Sequence, residues 1–223
     1  MTNPQIDSPV KVQTNEKDAL FFDVLNERRS VRKYDSSAVI SEQELREILD
    51  IATKAPSSSN LQPWRFLVVT DPELKQKLLP IANNQQQVAE ASAIIIVLGD
   101  LEMYGLADKI YGASAAAGYM TEEVANNFIA NSTRLYSSLP AERLKEIVVF
   151  DTGLVAMQIM LTARAKGYDT VPMGGYNRDL VREMFQIPDR YLPTLMLPVG
   201  KASAPGHPTT RLPLDDILFM NGL

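Results

Sequence analysis

The stretch that most restricts this chain's fold runs from Pro140 through Glu146 to Lys166, reads as one long helix, and stops at Gly167. Its interior, VVFDTGLVAMQIMLTARA, is apolar on nearly every side. Such a helix has little face to leave in water, so it is buried in a large core or against a second subunit. With 223 residues the chain can bury such a core, as one generous domain or as a core domain with excursions.

The flanking segments read as a mixture of helices and strands. Glu16 to Arg28 is an amphipathic helix carrying Leu20, Phe21, Val24 and Leu25, and Ser41-x-x-Glu44 is a capping box ahead of Leu45, Ile48, Leu49 and Ala52. Arg65 to Thr70 reads as a strand, Asp71-Pro72-Glu73 opens a further helix, and Gln85 to Ala91 is helical. Ala93 to Leu98 is a continuous apolar strand suited to the middle of a sheet. Tyr191 to Val199 is another strand, with Pro193 and Pro198 pointing to edge or irregular pairing. These elements make one domain over residues 16–223, with a possible helical excursion over 100–139 and a flexible arm over 1–15. The tail from Lys201 carries Pro205, Pro208 and Pro213 and ends in the apolar DILFM, an arm that docks on another surface.

Composition removes several kinds of chemistry. A net charge of −5 and a sequence pI near 5.0 argue against nucleic-acid binding through phosphates. There is no cysteine, hence no disulfide, thiolate nucleophile or zinc–sulfur site, which fits a reducing cytoplasm. The N-terminal residues lack the apolar stretch of a signal peptide, and the most apolar run, Ala93 to Leu98, is too short to cross a bilayer. These features make a soluble protein the expectation. The single histidine, His207, lies between Gly206 and Pro208 and reads as an exposed loop residue, too poorly fixed for a Ser-His-Asp triad and too few for a histidine metal site. Neither G-x-G-x-x-G nor G-x-x-x-x-G-K-[ST] occurs.

Two local patterns remain. APSSSNLQPW, residues 55–64, crowds short hydrogen-bonding side chains between Pro56 and Pro63, which keep it out of helix and ladder. Alone it reads as a solvated turn before it reads as a binding loop. Trp64 opens an apolar strand and reads as packing beneath the loop, and Met157 and Met160 read as core. In ERRSVRKYD, Arg28, Arg29, Ser30 and Arg32 follow directly on a helix. In an extended chain, alternate side chains share a side, so Arg28 and Arg32 flank a hydroxyl in a phosphate cradle, or else form a solvated basic turn. Thr209-Thr210-Arg211 repeats such donors in a proline-stiffened loop.

Taken in order, ERRSVRKYD, APSSSNLQPWRFLVV, VPMGGYN and TTRLPLDD resemble the nitroreductase family of FMN-dependent oxidoreductases. The resemblance covers about Phe21 to the C-terminus and is weakest between Asp100 and Leu139. It implies an α+β fold with a mostly antiparallel central sheet flanked by helices. It also implies an intertwined homodimer with swapped C-terminal arms and two FMN sites at the interface. By the same resemblance Arg28, Ser30 and Arg211 hold the phosphate, with Arg29 and Thr209 in the same two groups of donors. Arg32, Asn84 and Gln87 match residues beside the pyrimidine edge of the flavin. Pro56, Ser57, Ser58 and Asn60 match residues that reach the flavin bound mainly by the other subunit. Pro172, Met173, Gly174 and Gly175 match a stretch whose backbone N–H groups face flavin N5 and O4. Many relatives carry an acid where this chain has Gly174, and some carry Lys in place of Thr209 or Gln87.

The reading is an FMN-dependent oxidoreductase that passes hydride from NAD(P)H through flavin N5 to a small acceptor by ping-pong kinetics. The cofactor carries the chemistry, so no side chain is assigned a catalytic role and no metal is expected. Nitroaromatics, quinones and enones all fit an open flavin face. The alternatives are a flavin-binding or storage protein, and a family branch devoted to dehalogenation or modified-peptide oxidation.

Overall fold

The structure, a computed structural model, describes residues 16–222; the arm expected over Met1 to Asn15 lies outside the described residues, as does Leu223. The helices are α1 Glu16–Glu27, α2 Glu42–Ala52, α3 Pro72–Ile81, α4 Gln87–Glu90, α5 Ala107–Ala116, α6 Glu122–Ser137, α7 Ala141–Ala165 and α8 Arg178–Phe185. The strands β1 Trp64–Val69, β2 Ala93–Asp100, β3 Asp169–Thr170 and β4 Tyr191–Gly200 form one antiparallel sheet in the order β1-β2-β4-β3.

Helix starts follow local chemistry. Ser41 and Glu44 complete the capping box of α2, with the Ser41 amide donating to Glu44 Oε2 at 3.0 Å. Asp71, Thr121 and Asn177 cap α3, α6 and α8 through side-chain oxygens.

Because β2 lies inside the sheet and both faces are covered, every one of its residues is buried. Its side chains alternate. Ile95 and Val97 join Ile48 of α2 and Val155 and Ile159 of α7 in one core, while Ile94 and Ile96 join Leu78, Val88 and Val181 of α3, α4 and α8 in another. Helix α7 approaches β2 so closely at Gly99 that a Cβ there would stand 2.2 Å from Val148 Cγ1, so only glycine fits.

One face of α7 is buried through Val148, Val155, Ile159 and Ala163, but Val149, Phe150 and Met157 are exposed. Met160 is core as expected; Met157 is not, because it points away from the sheet on this second apolar face. By length and composition α7 could cross a membrane, with a mean hydropathy of 1.5 over its most apolar window, and half of that window is buried in the protein.

Strand β4 is interior, not an edge, and of the two expectations for its prolines it is the irregular pairing that occurs. A bulge falls where Val97 pairs with Leu195 and Leu98 with Pro193, and the extra residue, Thr194, donates its hydroxyl to the Val97 carbonyl at 2.9 Å. Pro198 turns its carbonyl toward the Tyr34 hydroxyl, 3.3 Å away.

In α1, Leu20 and Phe21 are exposed instead of meeting the core. Between Asp100 and Leu139, α5 and α6 enclose a small third core of Met103, Tyr111, Ala125 and Tyr136 with Leu61 and Val148. The tail from Lys201 crosses back over the chain at Tyr34, which bridges Ala202, and beyond it Leu214, Ile217, Phe219 and Met220 are all exposed.

Candidate functional site

Where α1 ends, the chain turns extended and Ser30 pairs with Thr170 of β3, the Val31 amide donating to the Thr170 carbonyl at 3.1 Å. The returning tail closes on this corner. A Cβ at Gly206 would lie 2.6 Å from Arg29 Cβ, so a glycine is needed for the tail to pass. The crossing carries Arg211 into the field of Arg28. Burial first, and then the charges of Arg29 and Arg211, pull the Arg28 guanidinium below its ordinary value. Among the described residues none of Arg28, Arg29, Arg32 and Arg211 ion-pairs with a carboxylate. Guanidiniums gathered without a counter-charge can receive an anion, and their planar donors suit phosphate oxygens.

The members of this corner differ. Arg29 folds back onto the carbonyls of Asn26 and Arg28, capping α1. Arg211 donates to the Thr209 hydroxyl at 2.7 Å and the Thr210 carbonyl at 2.8 Å, which stiffens the tail loop. Arg28 and Ser30 are half-buried, and Arg32 is exposed.

From Thr170 the chain leads directly into VPMGGYN. Met173 is tied into the sheet, its amide donating to the Met196 carbonyl at 2.8 Å and its carbonyl accepting from Met196 at 3.0 Å. Pro172 has no N–H. The expectation of a backbone donor row therefore narrows to Gly174 and Gly175, both exposed, whose amides meet no acceptor among the described residues. Two side chains not singled out in the sequence hold this turn: Asn83 and Gln85 each donate to the Gly175 carbonyl at 2.9 Å. Asn84 stands beside them, exposed and in the left-handed region at φ 55°. Gln87 differs from expectation, being buried with its amide directed at Gln85 Oε1 (3.1 Å) and Met173 Sδ (3.7 Å). It orients Gln85 from below. Ser30 and the Arg28 corner are thus tied through Thr170 to the VPMGGYN turn, and that turn through the Gly175 carbonyl to the segment that carries Asn84.

The serine loop belongs elsewhere. Ser59, Asn60 and Gln62 all adopt positive φ, at 49°, 51° and 46°, which non-glycine residues adopt only when their surroundings enforce it. The enforcement is visible. The Ser57 hydroxyl accepts from the Gln62 amide at 3.0 Å, and the Tyr111 hydroxyl donates to the Ser59 carbonyl at 2.5 Å. The Ser59 and Tyr136 hydroxyls share a hydrogen bond of 2.9 Å. Asp151, fully buried on α7, accepts from the Ser58 amide at 3.0 Å and from its hydroxyl at 3.0 Å. Trp64 is buried beneath the loop, as expected. Pro56 and Asn60 are exposed, and Ser58 is committed within its own chain.

No hydrogen bond or ion pair among the described residues joins this loop to the arginine corner. The sheet explains why. The loop enters β1 at Trp64, paired with Gly99, whereas Ser30 joins β3 at the end of the sheet where Ala93 pairs with Val199. Those points lie on opposite edges and opposite ends. Six residues of strand and three strand spacings put them on the order of 25 Å apart, beyond the span of one mononucleotide.

Residues 25–201 match the model of the nitroreductase family. The chain belongs to that family. YdgI of Bacillus subtilis, which carries the name NAD(P)H nitroreductase, is 45% identical over 92% of this chain and 98% of its own. A nitroreductase-type protein of Exiguobacterium sibiricum, solved in complex with FMN, is 42% identical with a TM-score of 0.87, covering 95% of this chain and 99% of that one. A Staphylococcus epidermidis protein solved under the name NAD(P)H:FMN oxidoreductase is 39% identical with a TM-score of 0.88, covering 94% and 98% of the two chains. The α+β architecture is therefore the nitroreductase fold. In this nitroreductase a Cβ at Gly174 would meet nothing within 4 Å, so the turn itself does not demand glycine there.

Proposed function

We propose that this protein is an FMN-dependent oxidoreductase that takes hydride from NAD(P)H and delivers electrons to a small acceptor, such as a nitroaromatic, quinone or enone. The observation that carries the reading is the guanidinium corner of Arg28, Arg29 and Arg211, uncompensated among the described residues and joined through the Ser30–Thr170 bridge to the exposed amides of Gly174 and Gly175. A cation cluster and a pair of backbone donors on one surface suit a ligand with a phosphate at one end and a polar ring edge at the other. FMN has that form, and when bound it supplies the hydride-accepting centre.

The chain's own residues bind and orient. Arg28, Ser30 and Arg211 hold the phosphate, with Thr209 fixing the Arg211 fork. Gly174 and Gly175 address the ring edge, on a turn held by Asn83 and Gln85. Arg32 and Asn84 lie on the pyrimidine side, where a fixed positive charge favours the electron-rich form of the ring.

Each site is built from two chains of a homodimer. The diagonal separation of serine loop and arginine corner supports this, as do the exposed apolar face of α7 (Val149, Phe150, Met157) and the exposed apolar tail from Leu212 to Met220. The tail acts as the docking arm on the partner. NAD(P)H is regenerated in the cytoplasm, the compartment in which the protein works.

The test is direct. Flavin released by heat from the purified protein should be FMN, and NADH or NADPH added without oxygen should bleach its absorbance rapidly. Bound FAD, protein that FMN cannot reconstitute, or bound FMN that neither nicotinamide bleaches would overturn the proposal.

A further inference from the structure

The serine loop rests on a carboxylate for which the flavin chemistry has no use. Asp151 sits in the middle of α7, fully buried in an otherwise apolar stretch. No cation approaches it: among the described residues it forms no ion pair, and its hydrogen bonds come from the amide and hydroxyl of Ser58 alone. Burial pushes its carboxyl above the ordinary carboxylate range, opposed by the two Ser58 donors. A buried acid with no cation is unfavourable unless its hydrogen bonds are needed. Here they seize the first residue of the turn that carries Ser59, Asn60 and Gln62 into the left-handed region.

We propose that Asp151 is a positioning residue for FMN binding: through Ser58 it holds the loop of residues 56–62 in the one strained conformation that can close over the flavin of the partner subunit's site. Left-handed backbone is unfavourable for residues with a Cβ, less so for Asn60 than for Ser59 and Gln62, so without an anchor the loop relaxes into other conformers. The apparent affinity for a ligand falls in proportion to the competent fraction. Tyr111 and Tyr136 grip the next residue, Ser59, from α5 and α6, and the Asp151 pair fixes the loop's near end on α7.

The inference rests on the flavin reading, and the experiment separates the two. Apoprotein of wild type, Asp151→Asn, Ser58→Ala and the double variant is titrated with FMN by fluorescence quenching. Apoprotein melting temperature and molar mass are recorded alongside. The isosteric Asn keeps the fold, so Asp151→Asn should raise the Kd about tenfold without altering the mass. The double variant should bind no more weakly than the worse single variant, because both act through one contact. If wild type binds no FMN, the flavin reading fails. If wild type binds but Asp151→Asn shifts only the melting temperature, with Kd within twofold, or if the two effects add, Asp151 is a purely structural acid and the inference is overturned.

Discussion

Replacing Arg28 by Ala sets binding against stability. In the chain alone Arg28 is a liability, since burial and the charges of Arg29 and Arg211 pull its guanidinium below the ordinary value, and no carboxylate among the described residues compensates it. Removing it should leave the apoprotein within about 0.5 kcal/mol of wild type, on the stabilising side, a Tm change of no more than about 2 °C. The bound state should behave oppositely. A charge-assisted contact to phosphate contributes about 1.5–3 kcal/mol, which corresponds to an FMN Kd raised about 10- to 150-fold. The remaining affinity should also depend less steeply on ionic strength, because one charge has left the cluster. Fluorescence titration of apoprotein with FMN at several salt concentrations, with calorimetry of the apoprotein, measures all three quantities. An apoprotein destabilised by several kcal/mol, or an unchanged Kd, would refute the claim that this corner is a phosphate site held together against its own repulsion. Arg32→Ala is the control: it should weaken binding less and lower the reduction potential of the bound flavin more.

Further expectations follow from the same geometry. In a doubly tagged mixed dimer, one chain carrying Arg28→Ala and the other Ser57→Trp with Asn60→Trp, one of two sites should recover and FMN content should reach about half of wild type; a mixed dimer as empty as both parents would show that loop and arginines serve one site within a chain. Asp100, fully buried at the end of β2, receives both Arg65 at 2.8 Å and Arg190 at 2.8 Å. Asp100→Asn leaves two guanidiniums facing a neutral group and should lower the Tm by about 5–15 °C in a thermal melt. Glu44 is held down to about 2, first by the Ser41 hydroxyl and then by Tyr168. A depressed carboxyl contributes its stability fully above the unfolded value near 4.3, and loses it as pH falls toward about 2. Glu44→Gln should therefore flatten the decline of Tm between about pH 4.5 and 2, and an unchanged slope would remove Glu44 from the acid transition.

Much of the fold was legible because local chemistry decided it. The Ser41–Glu44 capping box, the Asp71-Pro72 start of α3 and the continuous apolar run of β2 are short-range signals, each satisfied by its own neighbours. Long-range pairing had to settle β4: its prolines suit an edge equally well, and only the bulge at Thr194 lets a central strand accept them. Helix α7 shows the same division. Its composition calls for burial on all sides but does not say which face meets the sheet, so a core place suits Met157 and Met160 alike and only Met160 takes one. At the site, residue types and their order singled out the arginines, the serine loop and the glycine pair. The sequence could not show that Met173 has its amide bound in the sheet, that Gln87 lies beneath Gln85, or that Asn83 and Gln85 hold the turn. Asp151 left one trace, a lone acid inside an apolar helix, but its meaning depends on Ser58, 93 residues away. A chain records which groups are available, and hydrogen bonds between distant segments decide which of them stay free to meet a ligand. The separation of loop and arginine corner across the sheet is likewise a property of strand order, which no segment of the sequence contains.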